Sequence, residues 1–183
     1  EAINADTSEI YFTSGGSESN NWAIMGLARA NKSKGNHIII SAIEHHSVLE
    51  SAKALQNEGF EVSLCPVDKF GIIKYKELVK LIRPTTILIS VMTVNNEVGS
   101  IQPLKAIAKL AETYGICFHS DAVQAQAHRR YNEHRELQEL SQRVYASVFL
   151  FFERSITPRA ISSAPAQTSR GMGQLSWPVW ISA

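Results

Sequence analysis

Several features common in other protein classes are scarce in this sequence of 183 residues. Two cysteines, Cys65 and Cys117, are too few for a disulfide framework; both lie in apolar runs, so we expect buried free thiols in a reducing compartment. The longest apolar run covers residues 144–152, well short of the ~20 residues of a membrane span. The net charge of +1 gives no reason to expect nucleic acid or a membrane surface as partner.

Lysine is absent from the last third of the chain. Residues 1–121 contain nine lysines and two arginines, whereas residues 122–183 contain seven arginines and no lysine. The regular hydrophobic pattern ends at the same place, and we interpret the change as a shifted reading frame or an altered exon. The chain begins at Glu1 rather than Met, so we expect a fragment that lacks its original N-terminus and any targeting signal there.

Strands and helices alternate regularly up to Asp121. Apolar strands are predicted at 10–13, 37–41, 86–91 and 116–120, a strand of alternating character at 61–65, and helices at about 18–31, 48–57, 75–82 and 104–114. Strands that are apolar on both faces and separated by helices predict an α/β three-layer sandwich with a mainly parallel sheet. Ligands in such folds bind at the carboxyl ends of the strands.

The remainder of the chain does not continue this pattern. We assign residues 1–125 to a partial α/β domain and residues 126–183 to a divergent, poorly ordered tail. Within the tail, residues 134–143 form a candidate polar helix, and residues 144–152 a candidate strand with no evident partner. Residues 155–176 are rich in Ser, Arg, Ala and Pro and are predicted to be loop or disordered.

A glycine-rich segment, Ser14–Glu18, lies between the first strand and the first helix. The free N–H groups of a helix N-terminus bind phosphate, and the two glycines let the backbone approach an anion closely. Ser17 is a candidate N-cap and hydroxyl donor. An ordinary glycine turn with a serine cap explains the same residues, and no Gly-Lys-Ser/Thr follows as it would in a P-loop.

A carboxylate, Asp121, closes the last regular strand, where it can pair with a cationic ring or cap the next turn. With the glycine-rich segment it suggests the cofactor pyridoxal phosphate (PLP). PLP enzymes require a lysine for the Schiff base, yet Lys109 is the last lysine in the chain.

Two further polar pairs follow strands. His45, next to His46, can stack on a flat ring or transfer protons. A metal site would combine these histidines with His119 and Asp121, but adjacent histidines rarely share one metal, so we expect no metal. Asn95 and Asn96 can bind a cofactor substituent or make the turn in which they lie.

Several ordered blocks of residues 1–126 resemble the cysteine desulfurases, the NifS/IscS-like branch of the class V aminotransferases. The blocks are FTSGGSESNN at 12–21, IEHHSVL at 43–49, PVD at 66–68, MTVNNEVG at 92–99, IQP at 101–103 and FHSDAVQA at 118–125. The resemblance implies a PLP-binding large domain of fold type I, of which residues 1–125 would be a part.

The resemblance also implies roles for individual residues. Gly16 and Ser17 match positions that hold the PLP phosphate. His45 matches the histidine that stacks on the PLP ring and takes part in proton transfer, which makes it the one candidate catalytic residue.

The other matched positions surround the ring. Asp121 matches the partner of the pyridinium nitrogen. Asn96 and Gln124 match an asparagine and a glutamine near the phenolic oxygen of PLP.

The sequence departs from the family after Asp121. The family's Ser-x-His-Lys and Gly-Pro-Lys-Gly segments are absent, and Val144–Ser147 stand in that region. The Schiff-base lysine is therefore missing. Cys65 and Cys117 match neither the place nor the context of the persulfide-forming cysteine.

The resemblance implies a fragment of an enzyme that takes sulfur from L-cysteine, releases alanine, and supplies iron–sulfur cluster and thio-cofactor synthesis. It further implies a homodimer and a sulfur-acceptor protein as partners. We expect a cytoplasmic chain, with a mitochondrial location left open, and no catalytic activity as written. A selenocysteine lyase-like fragment, a non-catalytic interaction product and a metallo-hydrolase are the alternatives.

Overall fold

The computed structural model describes residues 10–124, 144–149 and 179–182. Its strands are β1 Ile10–Thr13, β2 His37–Ser41, β3 Glu61–Cys65, β4 Thr86–Ser90, β5 Cys117–Asp121, β6 Val144–Phe149 and β7 Val179–Ser182. Its helices are α1 Gly16–Ala30, α2 His46–Asn57, α3 Tyr75–Leu81 and α4 Leu104–Tyr114. All nine elements predicted up to Asp121 are confirmed, with bounds that differ by at most two residues.

The seven strands form one sheet in the order β1-β7-β6-β5-β4-β2-β3, and every pairing is parallel. The carboxyl ends of all the strands therefore meet at one edge of the sheet. The segments that follow β1, β2, β4 and β5 carry the predicted site residues, so the topology gathers them at this edge.

Two apolar clusters cover the two faces of the sheet. On one face α1 and α2 pack on the sheet through Ile24, Ala28, Val48, Leu55, Ile38, Ile40 and Leu88. On the other face α3 and α4 pack through Leu78, Ile107, Leu110, Ile39, Ile89 and Phe118. Alternate residues of β2 and β4 enter opposite clusters because strand side chains alternate between faces. The predicted three-layer α/β sandwich is confirmed.

The segment after Asp121 contributes two strands to the sheet. The expectation that the strand at 144–152 has no partner is wrong, because β6 lies between β5 and β7. β1 pairs with β7 alone among the described strands, so β6 and β7 connect β1 to the rest of the sheet. The candidate helix at 134–143 and the candidate loop at 155–176 lie outside the described residues, and the domain boundary at 125/126 stays a prediction.

Both cysteines are free thiols, as predicted, but their environments differ. Cys65 is buried, and this burial raises the pKa of its thiol to about 11. Cys117 is only half-buried and receives a contact from Asn31 Nδ2 at 3.7 Å. None of the helices in the described part of the chain has the length and apolar character needed to cross a bilayer.

Candidate functional site

The first part of the site is the turn between β1 and α1. Helix α1 begins at Gly16, and its first turn is closed by a hydrogen bond from Ser19 N to Gly15 O of 3.1 Å. The N–H groups at the start of a helix have no partner within it, so this end can donate to an anion. The prediction that Ser17 caps the helix is wrong, because the N-cap is Gly15 and no side chain caps it.

Glu18, in the first turn of α1, binds the residue before the glycines. Its Oε2 accepts hydrogen bonds from the hydroxyl and the backbone N–H of Ser14, both of 2.7 Å. These bonds, the hydroxyl first, lower the pKa of the Glu18 carboxyl. Because the Ser14 donors are occupied, the donors left for an anion are the first amides of α1 and the hydroxyl of the exposed Ser17.

Gly16 joins this turn to the segment after β5. A Cβ atom at Gly16 would lie 2.8 Å from Val123 Cγ2, closer than such atoms approach in real structures. The absence of a side chain therefore lets the start of α1 pack directly against the segment that follows Asp121. This contact brings the two sequence motifs into one site.

Asp121 ends β5 and is 5% exposed. Its Oδ2 accepts from Asn20 Nδ2 at 2.8 Å and its Oδ1 accepts from Val123 N at 3.0 Å. The bond from Val123 shows that Asp121 caps the next turn, which was one of the two roles predicted for it. The carboxylate oxygens have further lone pairs that can accept another donor. Burial raises the pKa of this carboxyl, while the bonds from Val123 and Asn20 and the nearby His45 act in the opposite direction.

Asn20 connects Asp121 to α2. Its Nδ2 also donates to Ser47 Oγ at 2.9 Å, and Ser47 Oγ lies 2.8 Å from His45 Nδ1. The side chains of Asp121, Asn20, Ser47 and His45 thus form a continuous chain of hydrogen bonds across β5, α1 and α2. The sequence blocks contained Asn20 and Ser47, but they predicted no role for either, because Asn20 meets Ser47 and Asp121 across 27 and 101 positions of the chain.

His45 is the N-cap residue of α2. Its Nδ1 accepts the backbone N–H of Ser47 at 3.2 Å. A ring nitrogen that accepts a hydrogen bond carries no proton, so the neutral ring carries its proton on Nε2. The ring is exposed, and the capping contact fixes its position at the edge of the sheet.

The two asparagines after β4 have different positions. Asn95 is buried and makes its turn: its Oδ1 accepts from the backbone N–H groups of Glu97 and Val98, and its Nδ2 donates to Ile43 O. Asn96 is exposed and lines a cleft of about 570 Å³ together with His45. Gly16, Ser17, Asp121 and the half-buried Gln124 do not line this cleft, so the predicted residues occupy two adjoining places.

His119 lies in the core rather than in the site. It is fully buried, its Nδ1 lies 2.8 Å from Ser90 Oγ, and burial lowers its pKa to about 3. In the described ranges no group of three or more His, Cys, Asp or Glu side chains could hold a metal ion.

The chemistry of this edge suits a ligand with an anionic end and a cationic end. The α1 N-terminus offers N–H donors and a partial positive charge. Asp121 offers a buried carboxylate. Burial disfavours the charged form of this group and so raises its pKa, and a cation beside it would compensate the negative charge. PLP, with its phosphate and its pyridine nitrogen, has both ends, so the residues present fit this group.

Comparison with known proteins identifies the family of the chain. Residues 1–136 match the family model described as aminotransferase class-V. The chain is 56% identical over 128 residues to the cysteine desulfurase IscS of Methanosarcina thermophila, covering 70% of this chain and 32% of that protein. It is 48% identical over 125 residues to the mitochondrial cysteine desulfurase of Eremothecium gossypii, covering 68% of this chain and 26% of that protein.

A solved structure also resembles this chain. The crystal structure of DndA from Streptomyces lividans superposes with a TM-score of 0.68 and 38% identity, covering 75% of this chain and 37% of that one. The chain spans about a third or less of the length of the curated relatives described above. The resemblance inferred from the sequence blocks is confirmed, and the chain belongs to the class V aminotransferase family.

Proposed function

We propose that this chain is part of a PLP-dependent cysteine desulfurase and that it contains the cofactor-binding edge of the large domain. The observation that carries the proposal is the buried Asp121 carboxylate, which Asn20 links to the same helix whose N-terminus offers donors for a phosphate. The similarity to cysteine desulfurases supports the proposal.

The residues of the edge have distinct proposed roles. The amides at Gly16 and Ser17 and the Ser17 hydroxyl would hold the phosphate, and Asp121 would hold the proton of the pyridine nitrogen. His45, fixed by Ser47, would stack on the ring and move a proton at Nε2. Asn96 and Gln124 would donate to the phenolic oxygen. When bound, PLP supplies an electron sink for bonds at the substrate α-carbon.

We propose that the polypeptide as written does not catalyse desulfuration. Lys109 is the last lysine, and it lies on an exposed helix face where it pairs with Glu112 at 2.9 Å. The covalent attachment of PLP and the amine that would transfer protons are therefore missing, so PLP binding is noncovalent and weak. L-cysteine as substrate, a sulfur-acceptor protein, the homodimer and a cytoplasmic location are proposals for the complete protein.

The first experiment measures binding of deoxypyridoxine phosphate, which lacks the aldehyde and cannot modify surface lysines. We expect saturable binding to the 183-residue chain that weakens about tenfold or more in Asp121→Asn, because a hydrogen bond to a charged group contributes about 1.5–3 kcal/mol. Glu112→Gln, an exposed carboxyl on α4, is the matched control. Absence of binding, or equal affinities of Asp121→Asn and the control, would contradict the proposal.

A second experiment tests inactivity. After incubation with PLP and borohydride reduction, peptide mapping is expected to find no single lysine modified in preference to the others. One stoichiometrically modified lysine would show that the inactivity proposal is wrong.

The origin of the segment after Gln124 is tested on the gene. We expect a Ser-x-His-Lys segment followed by Gly-Pro-Lys-Gly in another reading frame downstream of the Gln124 codon. If no frame contains these segments, the proposal of a shifted frame fails.

A further inference from the structure

Glu44 is a buried carboxyl to which the proposed function assigns no role. It precedes His45 in the segment between β2 and α2 and is 6% exposed. Its Oε1 accepts the backbone N–H of Met92 at 2.6 Å, whereas its Oε2 is buried and has no hydrogen-bond partner among the described residues. A charged carboxylate with a single donor is poorly compensated at such a depth.

Glu44 and Asp121 are connected to neighbouring amides of one loop. The loop after β4 donates Met92 N–H to the Glu44 side chain and Thr93 N–H to the main-chain oxygen of Asp121, the latter at 2.8 Å. A second contact, from Asn95 Nδ2 to Ile43 O at 2.9 Å, joins the same loop to the segment that contains Glu44. The charge of Asp121 acts on Glu44, and two anions in a buried region repel each other.

The surrounding charges do not neutralise a Glu44 anion. Asp121 at the end of β5 adds negative charge, and Glu97 from the loop after β4 lines the same cleft as Glu44. The cationic or titratable groups that line this cleft are His45, His46 and Lys69. Burial raises the pKa of Glu44, the Met92 bond lowers it and the Asp121 charge raises it, and together they bring it to about 8.

We propose that Glu44 is a positioning residue that works as a neutral, protonated carboxyl. It holds the segment carrying His45 against the loop after β4, and its neutrality leaves Asp121 as the one anion buried at this edge among the described residues. The second statement rests on the proposed function, because it concerns the pairing of Asp121 with a cationic ring. The first statement holds for the chain without any ligand.

The ligand-free chain provides the direct test. In the carbon-13-labelled 183-residue protein, the side-chain carboxyl resonance of Glu44 is followed by NMR from pH 4 to pH 9. We expect the protonated form to predominate at pH 7 and the Met92 amide resonance to shift with the same midpoint. A Glu44 carboxyl that is ionised throughout pH 6–7 would overturn the proposal.

Unfolding experiments give an independent readout. A carboxyl whose folded pKa is raised favours the folded state below its unfolded pKa, and this contribution is lost as pH rises from 4.5 to about 8. Glu44→Gln mimics the neutral carboxyl, so the folding equilibrium constant of the unsubstituted chain should fall relative to this variant by up to tenfold per pH unit in that window. Glu112→Gln controls for the loss of one negative charge.

Parallel pH profiles for the unsubstituted chain, Glu44→Gln and Glu112→Gln would overturn the proposal, since a purely steric role moves stability equally at every pH. If Glu44→Gln fails to fold, the carboxyl resonance decides alone. Deoxypyridoxine phosphate is then added: its affinity should fall above pH 8 in the unsubstituted chain relative to Glu44→Gln. A chain that shows the Glu44 titration but binds no probe contradicts the proposed function and leaves the protonation of Glu44 established.

Discussion

The side chains of Asn20 and Asp121, which are 101 positions apart in the chain, meet in a hydrogen bond of 2.8 Å. Asn20 lies in the second turn of α1, and Asp121 is the last residue of β5. The bond holds a buried carboxylate against the helix whose N-terminus offers anion donors. It therefore links the two ends of the candidate site without a charged partner.

Replacing Asn20 tests this link. Asn20→Leu keeps a similar volume but removes the donor to Asp121 and Ser47, so we expect the free energy of unfolding to fall by about 2 kcal/mol. Denaturant titration measures it. The control is Asn57→Leu at the exposed end of α2, where a change within about 0.5 kcal/mol is expected. Equal effects at both positions would show that the buried contacts of Asn20 contribute nothing specific.

Gly16→Ala tests the close approach of α1 to the segment after β5. The new Cβ would lie 2.8 Å from Val123 Cγ2, so we expect destabilisation of about 1–3 kcal/mol, as in other overpacked sites. Gly26→Ala is the matched control within the same helix: it meets no atom within 4 Å and should stabilise by about 1 kcal/mol.

Val123→Ala should relieve the contact. We expect the double variant Gly16→Ala/Val123→Ala to recover part of the loss, with a coupling free energy above about 0.5 kcal/mol. Additive effects of the two substitutions would mean that the segment after β5 moves away without resistance.

Because His119 is buried, we expect the folded protein to lose stability in acid. Its pKa is about 3 when folded and 6.5 as the reference value, so the unfolded chain binds the proton first. The contribution of neutral His119 is therefore complete above pH 6.5 and is lost as pH falls toward 3, by up to about 1.4 kcal/mol per pH unit. His119→Asn retains a polar partner for Ser90. Its free energy of unfolding, measured by denaturant titration, should change less between pH 6.5 and pH 3 than that of the unsubstituted chain. If the unfolding free energies of the unsubstituted chain and of His119→Asn fall equally steeply with pH, the loss of stability does not come from His119.

Truncation tests the contribution of β6 and β7. A chain that ends at residue 124 lacks both strands, which exposes the edge of β5 and leaves β1 without its partner. We expect loss of amide-exchange protection in β1 and β5, together with aggregation, since unpaired strand edges associate. A chain that ends at residue 150 retains β6 and should keep protection in β5 while losing it in β1. If both truncated chains retain full protection in β1, the placement of β7 is wrong.

Local sequence features predicted the helices and strands well. They did not predict the N-cap of α1 or which strands pair with each other. Gly115 ends α4 in the left-handed conformation at φ 67°, which glycine adopts without a steric penalty. Ser17 is a good cap by residue type, yet α1 begins one residue before it, with Gly15 as its N-cap. The strand at 144–152 was predicted by composition, but its partners were not, since pairing depends on strands distant in sequence.

The sequence by itself determined the alternation of strands and helices, the apolar faces of each element, the family, and the absence of a lysine after Lys109. These features depend on residue type and spacing, which are local. Only the tertiary structure decided which distant polar groups meet: Asn20 with Asp121, Asn20 with Ser47, and Glu44 with Met92. Burial of a carboxyl and the partners that compensate it depend on segments brought together by the sheet, and so the charge states at this edge follow from the fold.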